Sequence, residues 1–415
     1  MSRSRAGARA VIHLSFLCAA TRLLSGCDAA APDEVQRADE QANDGDERAP
    51  RAQVLDAATS APVRALDAGA TAGEEVVTDQ RFPGLRPEFL DYFWSNVDAA
   101  RFTAWHPSHK SFAWKTPPKV PGDLGAEPGA SYEARIELAS GAHALTVTYI
   151  DPATPGVGAT LESAMAADVT IDGAGPFRLV VEYAQEGEDV HVKQRLALPP
   201  GADRAGVKAY LEERMTKLAS FIKTPFQREY VDVELTRRGT VEIVQQGAEL
   251  DLVVKQAIGK VTTDMVDWWW DNMGETERYR HWHPTAHKKF TWTTPPKNPR
   301  DLRYDPGSMQ QVVEQIGEGD ATLNIGWADP KTVKVPLTYK NYLYGTTNLN
   351  GTPLGGSLLH EYEARDGGIV MKSTFRLSSL TPMQFLQDLG RHCIQEMQFL
   401  QYYLPRLYAK EYRPD

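Results

Sequence analysis

Two side chains near the end of the chain, His392 and Glu396, have the spacing of a metal site. Their i, i+4 separation places an imidazole and a carboxylate on one face of a helix, about one turn apart. Zinc accepts histidine nitrogen and carboxylate oxygen, and a catalytic zinc needs further protein ligands and one open position. The candidates for these further ligands are His283, His287, Glu314, Glu318 and His360.

The segment that contains His283 and His287 has an earlier copy in the same chain. Trp105–Lys119, with the sequence WHPSHKSFAWKTPPK, returns as Trp282–Lys297, WHPTAHKKFTWTTPPK, with one inserted residue. A match of this length between two parts of one chain indicates an internal duplication.

The two copies differ at the helix positions that carry the candidate ligands. When the last helices are aligned, Tyr210 of the earlier copy stands opposite His392. Arg214 stands opposite Glu396 in the same alignment. We therefore expect the later copy to keep a metal site and the earlier copy to act as scaffold.

The elements that must position these residues recur in the same order. An aromatic helix is predicted at Phe89–Val97 and again at Met265–Met273, followed by the His/Trp/Pro loop and by alternating, strand-like runs. Amphipathic helices at Ala205–Phe221 and Thr381–Leu404 close the two copies. A strand-like run at Tyr230–Val244 could belong to either copy. The pattern predicts two tandem α+β domains.

Four motifs of the later copy occur together. They are YRHWHPTAH at Tyr279–His287 after Trp268–Trp270, then Glu314, then His392-x-x-x-Glu396-Met397, and finally YLPRLY at Tyr403–Tyr408. This combination resembles the 2,4-diacetylphloroglucinol hydrolase and phloretin hydrolase family. The resemblance covers about Thr262–Tyr408 well and about Gln80–Phe221 in degenerate form.

The resemblance implies a fold, a reaction and a ligand set. Family members use zinc to cleave the carbon–carbon bond between an acyl group and a phenolic ring, within a Bet v 1-like helix-grip domain. The expected fold is therefore α+β, with two tandem helix-grip domains in which an antiparallel sheet surrounds a long C-terminal helix. Zinc polarises the acyl carbonyl or lowers the pKa of a bound water toward ~7. The zinc ligands implied for this chain are His287, Glu314, His392 and Glu396.

Two further residues match family positions near the substrate. Tyr279 matches a loop tyrosine that contacts a substrate oxygen, and His360 is the best match to a histidine near the reacting ring. Both are candidate donors for protonation of the ring carbon. The counterpart of Tyr279 in the earlier copy is Phe102, so the fold accepts a ring without a hydroxyl at this position.

Two ligand positions have alternatives. His283 could replace His287, but Pro284 follows it directly, and the Tyr-to-His spacing of the family matches His287; the counterparts His106 and His109 both persist in the degenerate copy. Glu318 could replace Glu314, but it lies between two glycines in a predicted turn. We therefore favour His287, and Glu314 on its predicted strand.

The beginning of the chain has the features of an exported lipoprotein. Three arginines before residue 10 precede a mostly apolar stretch that ends in Leu24–Cys27, LSGC, which looks like a bacterial lipobox. Acylation of Cys27 would anchor the protein to a membrane of the bacterial cell envelope. The acidic segment that follows, nearly free of aromatic residues, is predicted to be a disordered tether.

These patterns divide the 415 residues into four parts. The predicted parts are a signal peptide at 1–26, the tether at 27–80, the degenerate domain at 81–225 and the catalytic domain at 226–415.

Composition excludes several other classes of protein. Lys+Arg 45 against Asp+Glu 55 gives a net charge of −10, which argues against a nucleic-acid partner. Three cysteines cannot form a disulfide framework. The expected partner is a small phenolic ketone. The alternative function is a lipid-anchored helix-grip protein that binds an apolar or phenolic ligand without turnover.

Overall fold

The computed structural model describes residues 74–119, 124–298, 305–333, 335–349 and 352–412. The described residues all belong to one compact unit. The predicted signal peptide, Cys27 and the tether as far as residue 73 lie outside the described residues. No helix in the described ranges is both long enough and apolar enough to cross a membrane.

The earlier copy forms an antiparallel sheet with three helices. Its strands are β1 (Glu74–Pro83), β2 (His109–Thr116), β3 (Ser131–Leu138), β4 (Gly141–Ile150), β5 (Ser163–Ile171), β6 (Ala174–Glu186) and β7 (Asp189–Leu198). Its helices are α1 (Pro87–Asn96), α2 (Ala99–Trp105) and α3 (Arg204–Phe221). The strand order is β1-β7-β6-β5-β4-β3-β2, and α3 packs on β1.

The later copy repeats this arrangement after a short helix α4 (Lys223–Pro225). Its strands are β8 (Gly239–Gln246), β9 (Glu249–Gly259), β10 (His287–Thr294), β11 (Met309–Ile316), β12 (Gly319–Trp327), β13 (Asn341–Leu349), β14 (Thr352–Arg365) and β15 (Gly368–Ser378). Its helices are α5 (Thr263–Asn272), α6 (Thr276–Trp282) and α7 (Met383–Glu411).

The two sheets share one topology. The second sheet has the order β10-β11-β12-β13-β14-β15-β9-β8. Seven of its strands therefore follow the order of the first sheet, with β9 in the place of β1, and β8 is an additional edge strand. The predicted α+β class with helix-grip domains is confirmed, because each copy is an antiparallel sheet that ends in a helix packed against it.

The longest helix, α7, has the apolar spacing needed to lie on a sheet. Buried residues recur at three- and four-residue steps from Leu386 through Cys393 and Met397 to Leu404. Gly390 lets the helix approach closely, because a Cβ there would lie 2.8 Å from a methyl of Val241. This close packing fixes the face of α7 that carries His392 and Glu396.

The prediction of a strand at Tyr230–Val244 is wrong for the first half of this segment. Phe226–Leu235 is a π-helix, Thr236–Arg238 a short 3₁₀ turn, and only Gly239–Gln246 is a strand. The β-branched alternation favours a strand locally, but burial of the aromatic rings against two helices outweighs that preference. The predicted domain boundary at 225/226 therefore falls inside a continuous helical segment.

The predicted tether also ends earlier than residue 80. Glu74–Pro83 is a strand that pairs with β7 along its whole length. Val76, Thr78 and Phe82 alternate inward and are buried, while the charged residues between them face outward. The charged side chains of this strand therefore lie on its solvent-facing side.

Candidate metal centre

His287 begins strand β10, and its backbone surroundings define its protonation state. Its ring Nδ1 lies 2.9 Å from the carbonyl oxygen of Tyr279, which can only accept, so Nδ1 carries the hydrogen. Burial, followed by the charge of His392, lowers the pKa of His287 well below its ordinary value. The ring is therefore neutral, and the free lone pair of Nε2 faces the centre of the site.

Glu314 reaches the same place from the neighbouring strand. In the β10–β11 pairing Glu314 lies directly opposite His287. Its Oε1 is 3.9 Å from the Nε2 of His287, and its Oε2 is 3.3 Å from the Nε2 of His392. The strand register therefore brings this carboxylate beside both imidazoles.

Helix α7 supplies the other two groups. The Nε2 atoms of His392 and His287 are 3.4 Å apart. Glu396 Oε2 lies 3.4 Å from His287 Nε2 and 3.9 Å from His392 Nε2. One ligand atom each from His287, His392 and Glu396 falls within 4.8 Å of the other two, a spacing at which these atoms could hold one metal ion.

The chemistry of this donor set fits a divalent cation. Four buried groups offer two imidazole nitrogens and two carboxylates in one small volume. Burial, with the nearby charge of Glu314, raises the pKa of Glu396 well above its ordinary value. A cation between the carboxylates would remove this repulsion, and these are donor types that zinc accepts.

His283 has other partners for both of its ring nitrogens. The backbone N–H of Ala286 donates to Nδ1 at 3.3 Å, so Nε2 carries the hydrogen and donates to Gln395 Oε1 at 3.2 Å. In the earlier copy the backbone N–H of Ser108 donates to Nδ1 of His106 in the same way, at 3.1 Å. This arrangement supports the structural interpretation of His283 and favours His287 as the ligand.

Gln395 was missed by the sequence reasoning. Its amide nitrogen donates to the carbonyl of Val231 and to the hydroxyl of Thr236, which ties α7 to the segment between the copies. The only sequence signal is its position next to Glu396 on a mostly buried helix. The sequence alone does not show whether a glutamine at this position of the helix is buried or exposed.

The site communicates with solvent through a cleft of about 1030 Å³. His392, His283 and Gln395 line it, together with charged residues that include Lys288 and Arg391. The other carboxylate candidate, Glu318, is exposed in the β11–β12 turn and lines this cleft, away from the four clustered groups.

The structure places Tyr279 against two of the four clustered groups. Its ring stacks on His287 with the centroids 3.9 Å apart, and its hydroxyl donates to Glu314 Oε1. The side chain is almost completely buried, at 1% exposure. Tyr279 is thus positioned to orient both the imidazole of His287 and the carboxylate of Glu314.

His360 lies elsewhere in the interior of the second sheet. Its Nδ1 forms a hydrogen bond of 2.7 Å with Ser373 Oγ, and its ring stacks on Trp270 at 5.6 Å. Burial lowers the pKa of His360 to about 3, so the ring is neutral. Its described contacts do not include any of the four clustered groups, and the structure does not bring it to them.

The corresponding place in the earlier copy has a different chemistry. His109 keeps the position of His287, but its neighbours in the corresponding positions are Phe102, Ile136, Tyr210 and Arg214. A phenyl ring, a sec-butyl chain, a phenol and a guanidinium cannot complete a zinc site.

Comparison with known proteins supports the family resemblance for the later copy. Residues 243–409 match the family model described as DAPG hydrolase PhiG domain, which confirms the resemblance over this segment. None of the curated proteins compared with the chain matches it.

Several solved structures are similar at low identity. DynU16 from the dynemicin biosynthetic locus is 14% identical, with 79% of this chain and 97% of that chain covered and a TM-score of 0.25. The di-domain ARO/CYC BexL from the BE-7585A biosynthetic pathway is 10% identical, with coverages of 82% and 100% and a TM-score of 0.27. Major latex-like protein 151 from Panax ginseng is 8% identical, with coverages of 36% and 98% and a TM-score of 0.27. Scores this low add nothing to the assignment of function.

Proposed function

We propose that residues 243–409 form the catalytic domain of a zinc-dependent hydrolase that cleaves the carbon–carbon bond between an acyl group and a phloroglucinol-like ring. The proposal rests on one observation above all. Two imidazoles and two carboxylates, at His287, Glu314, His392 and Glu396, converge within a segment that matches the DAPG hydrolase model. Because the cluster is buried yet opens to the 1030 Å³ cleft, a substrate could reach it from solvent.

The overall reaction consumes one water. The bond between the ring carbon and the acyl carbon breaks, the water oxygen joins the acyl carbon to give a carboxylic acid, and a proton is added to the ring carbon. Zinc at this site would supply Lewis-acid polarisation of the acyl carbonyl and a lowered pKa for water.

The chain's own residues prepare this chemistry. The backbone of Tyr279 holds the Nδ1 hydrogen of His287, which keeps the other nitrogen free of a proton. The Tyr279 hydroxyl orients the Glu314 carboxylate. Tyr279 is our proposed proton donor toward the ring, at Oη, whereas the described contacts of His360, to Ser373 and Trp270, do not place it for this role.

The decisive experiment measures metal content and turnover together. Purified protein should contain about one zinc per chain, because only the later copy has the full donor set. His392→Ala should lose both zinc and the release of carboxylic acid from an acylphloroglucinol. The matched control is His109→Ala, which removes the corresponding interior histidine of the earlier copy and should leave zinc content unchanged.

Three results would contradict the proposal. They are two tightly bound zinc ions per chain, a wild-type protein without zinc, and full turnover by folded His392→Ala. A protein that binds the phenolic ketone but never cleaves it would instead support the ligand-binding alternative.

A further inference from the structure

A small cavity of about 70 Å³ lies inside the earlier copy, between its sheet and α3. Its lining is mostly aliphatic and includes Ile136, Val147, Val169, Leu179 and Leu196. The proposed hydrolysis takes place in the other sheet and makes no use of this cavity.

One charged group, Arg214, projects into this apolar lining. Its Nη2 donates to Gln194 Oε1 at 3.1 Å, while its Nε is buried without a hydrogen-bond partner. The guanidinium carbon lies 5.6 Å from the centroid of Trp105 and 5.9 Å from that of Tyr210. In the described part of the chain no carboxylate forms an ion pair with Arg214. Arg214 is only partly buried, and within the described residues its guanidinium has no counter-charge from the protein.

The other polar groups of the cavity cannot supply this counter-charge. His109 Nδ1 donates to the carbonyl of Phe102 at 2.9 Å, so its Nε2 accepts from the hydroxyl of Tyr210 at 2.8 Å. Burial lowers the pKa of His109 to about 3, and burial raises the pKa of Tyr210. Both side chains are therefore neutral, and among the described lining residues only Arg214 is charged.

Arg214 occupies the place that Glu396 has in the later copy. There, carboxylates and imidazoles collect around a position for a cation. Here, Ile136 and Tyr210 replace the other donors, and the remaining charge is positive. At the position of Glu396 in the later copy, the earlier copy therefore carries a positive charge in place of a negative one, in addition to lacking the other donors.

We propose that the earlier copy is a binding site for a small apolar carboxylate, whose carboxylate group pairs with Arg214 and whose tail lies among the aliphatic side chains. The free Nε is the donor left for this ligand, and a guanidinium binds carboxylates well. A cavity of about 70 Å³ leaves room for only a short tail. Butyrate carries the required charge on such a tail and serves as the probe.

Calorimetric titration of the full chain with butyrate, in buffer free of other carboxylates, tests the proposal. We expect one saturable site per chain, and binding at least tenfold weaker for butyramide, which has the same shape without the charge. Arg214→Gln should weaken butyrate binding at least tenfold and leave butyramide binding unchanged. The control Lys217→Gln removes an exposed cation from the same helix and should bind butyrate as wild type does.

The second copy must be excluded as the site of binding. His392→Ala should retain wild-type butyrate affinity, and loss of binding in that variant would overturn the proposal by placing the carboxylate at the metal centre. Absence of saturable binding, or unchanged affinity in Arg214→Gln, would also overturn it. If Arg214→Gln does not fold, Val169→Phe provides the test, because it fills the cavity and should abolish binding with Arg214 still present.

Discussion

The hydrogen bond between His287 and the backbone of Tyr279 decides which nitrogen of that imidazole faces the other clustered groups. A carbonyl oxygen fixes the Nδ1 hydrogen, so Nε2 is the atom that lies 3.4 Å from both Glu396 Oε2 and His392 Nε2. His109 has the same hydrogen bond to Phe102 but meets a phenol instead of ligands. The loop thus positions a histidine in the same way in both copies, and the residues of the last helix of each copy determine the role of that histidine.

Tyr279→Phe separates positioning from folding at this site. The variant should fold normally, because Phe102 occupies the same place in the earlier copy, but Glu314 loses the donor that orients it. Loss of such an outer partner commonly costs about 10–100-fold in metal affinity or activity. Zinc affinity, melting temperature and kcat on an acylphloroglucinol measure metal binding, folding stability and turnover separately.

A buried tyrosine far from the metal centre provides the control. Tyr149 donates to the carbonyl of Trp94 in the earlier copy, so Tyr149→Phe should leave zinc affinity and kcat unchanged. Wild-type zinc affinity and kcat in folded Tyr279→Phe would remove Tyr279 from the functional residues.

The residue types and spacings of the candidate ligands were accessible from the sequence, whereas their partners were not. The i, i+4 pair on α7 points to His392 and Glu396, and the repeated loop points to His283 or His287, of which the family resemblance favours His287. The position of Glu314 opposite His287 depends on strand register, which the local pattern does not determine. The roles of Gln395 and of both nitrogens of His283 depend on packing between elements distant in sequence.

At the scale of elements, the segment Phe226–Leu235 connects the two copies and packs on both. The Phe226 ring lies 4.7 Å from Phe89 of α1 and 6.1 Å from Phe399 of α7. Tyr230 lies 5.2 Å from Tyr92 and 6.0 Å from Tyr402. The alternating sequence of this segment predicts a strand, because a local pattern carries no information about aromatic rings that are distant in sequence.

Phe226→Ala should destabilise the whole protein. The ring is fully buried, and removal of a buried Phe typically costs about 3–5 kcal/mol of the free energy of unfolding. Denaturant titration, monitored in parallel by tryptophan fluorescence and circular dichroism, measures the loss.

The neighbouring Arg228 is exposed, so Arg228→Ala is the matched control and should change stability by less than about 0.5 kcal/mol. Equal, small effects of both substitutions would show that the Phe226 ring does not stabilise the junction.

At the scale of the whole molecule, charged groups from the two copies meet at a buried contact. Glu88 of α1, at 7% exposure, lies 3.1 Å from the Nδ1 of His281 in α6. Arg86 lies 3.8 Å from Glu88 and 3.5 Å from Glu277 of the later copy. Burial by itself raises the pKa of Glu88, but the hydrogen bond with His281 and the charge of Arg86 outweigh it and lower the pKa to about 2.

This lowered pKa predicts a defined pH dependence of stability. Because the folded protein holds Glu88 ionised, its contribution is complete above the ordinary pKa of 4.5 and disappears as the pH falls toward 2. Glu88→Gln should therefore be less stable than wild type at neutral pH, by up to about 3 kcal/mol, and the difference should shrink below pH 4.5. Unfolding free energies of both proteins across this range provide the measurement.

The exposed Glu242 provides the control, since Glu242→Gln should change stability by less than about 0.5 kcal/mol. A Glu88→Gln protein as stable as wild type at pH 7 would show that the contact between the copies does not depend on this carboxylate.

The aromatic junction has a consequence for biosynthesis. Phe226 leaves the ribosome with the earlier copy, but Phe399, the ring that covers it from the other side, follows about 170 residues later. At a synthesis rate of roughly 5–20 residues per second, the nascent chain waits on the order of 10–35 s with one side of the Phe226 ring uncovered. During this interval the incomplete chain exposes an apolar aromatic surface. We therefore expect chaperones that recognise exposed apolar segments to bind it at this stage.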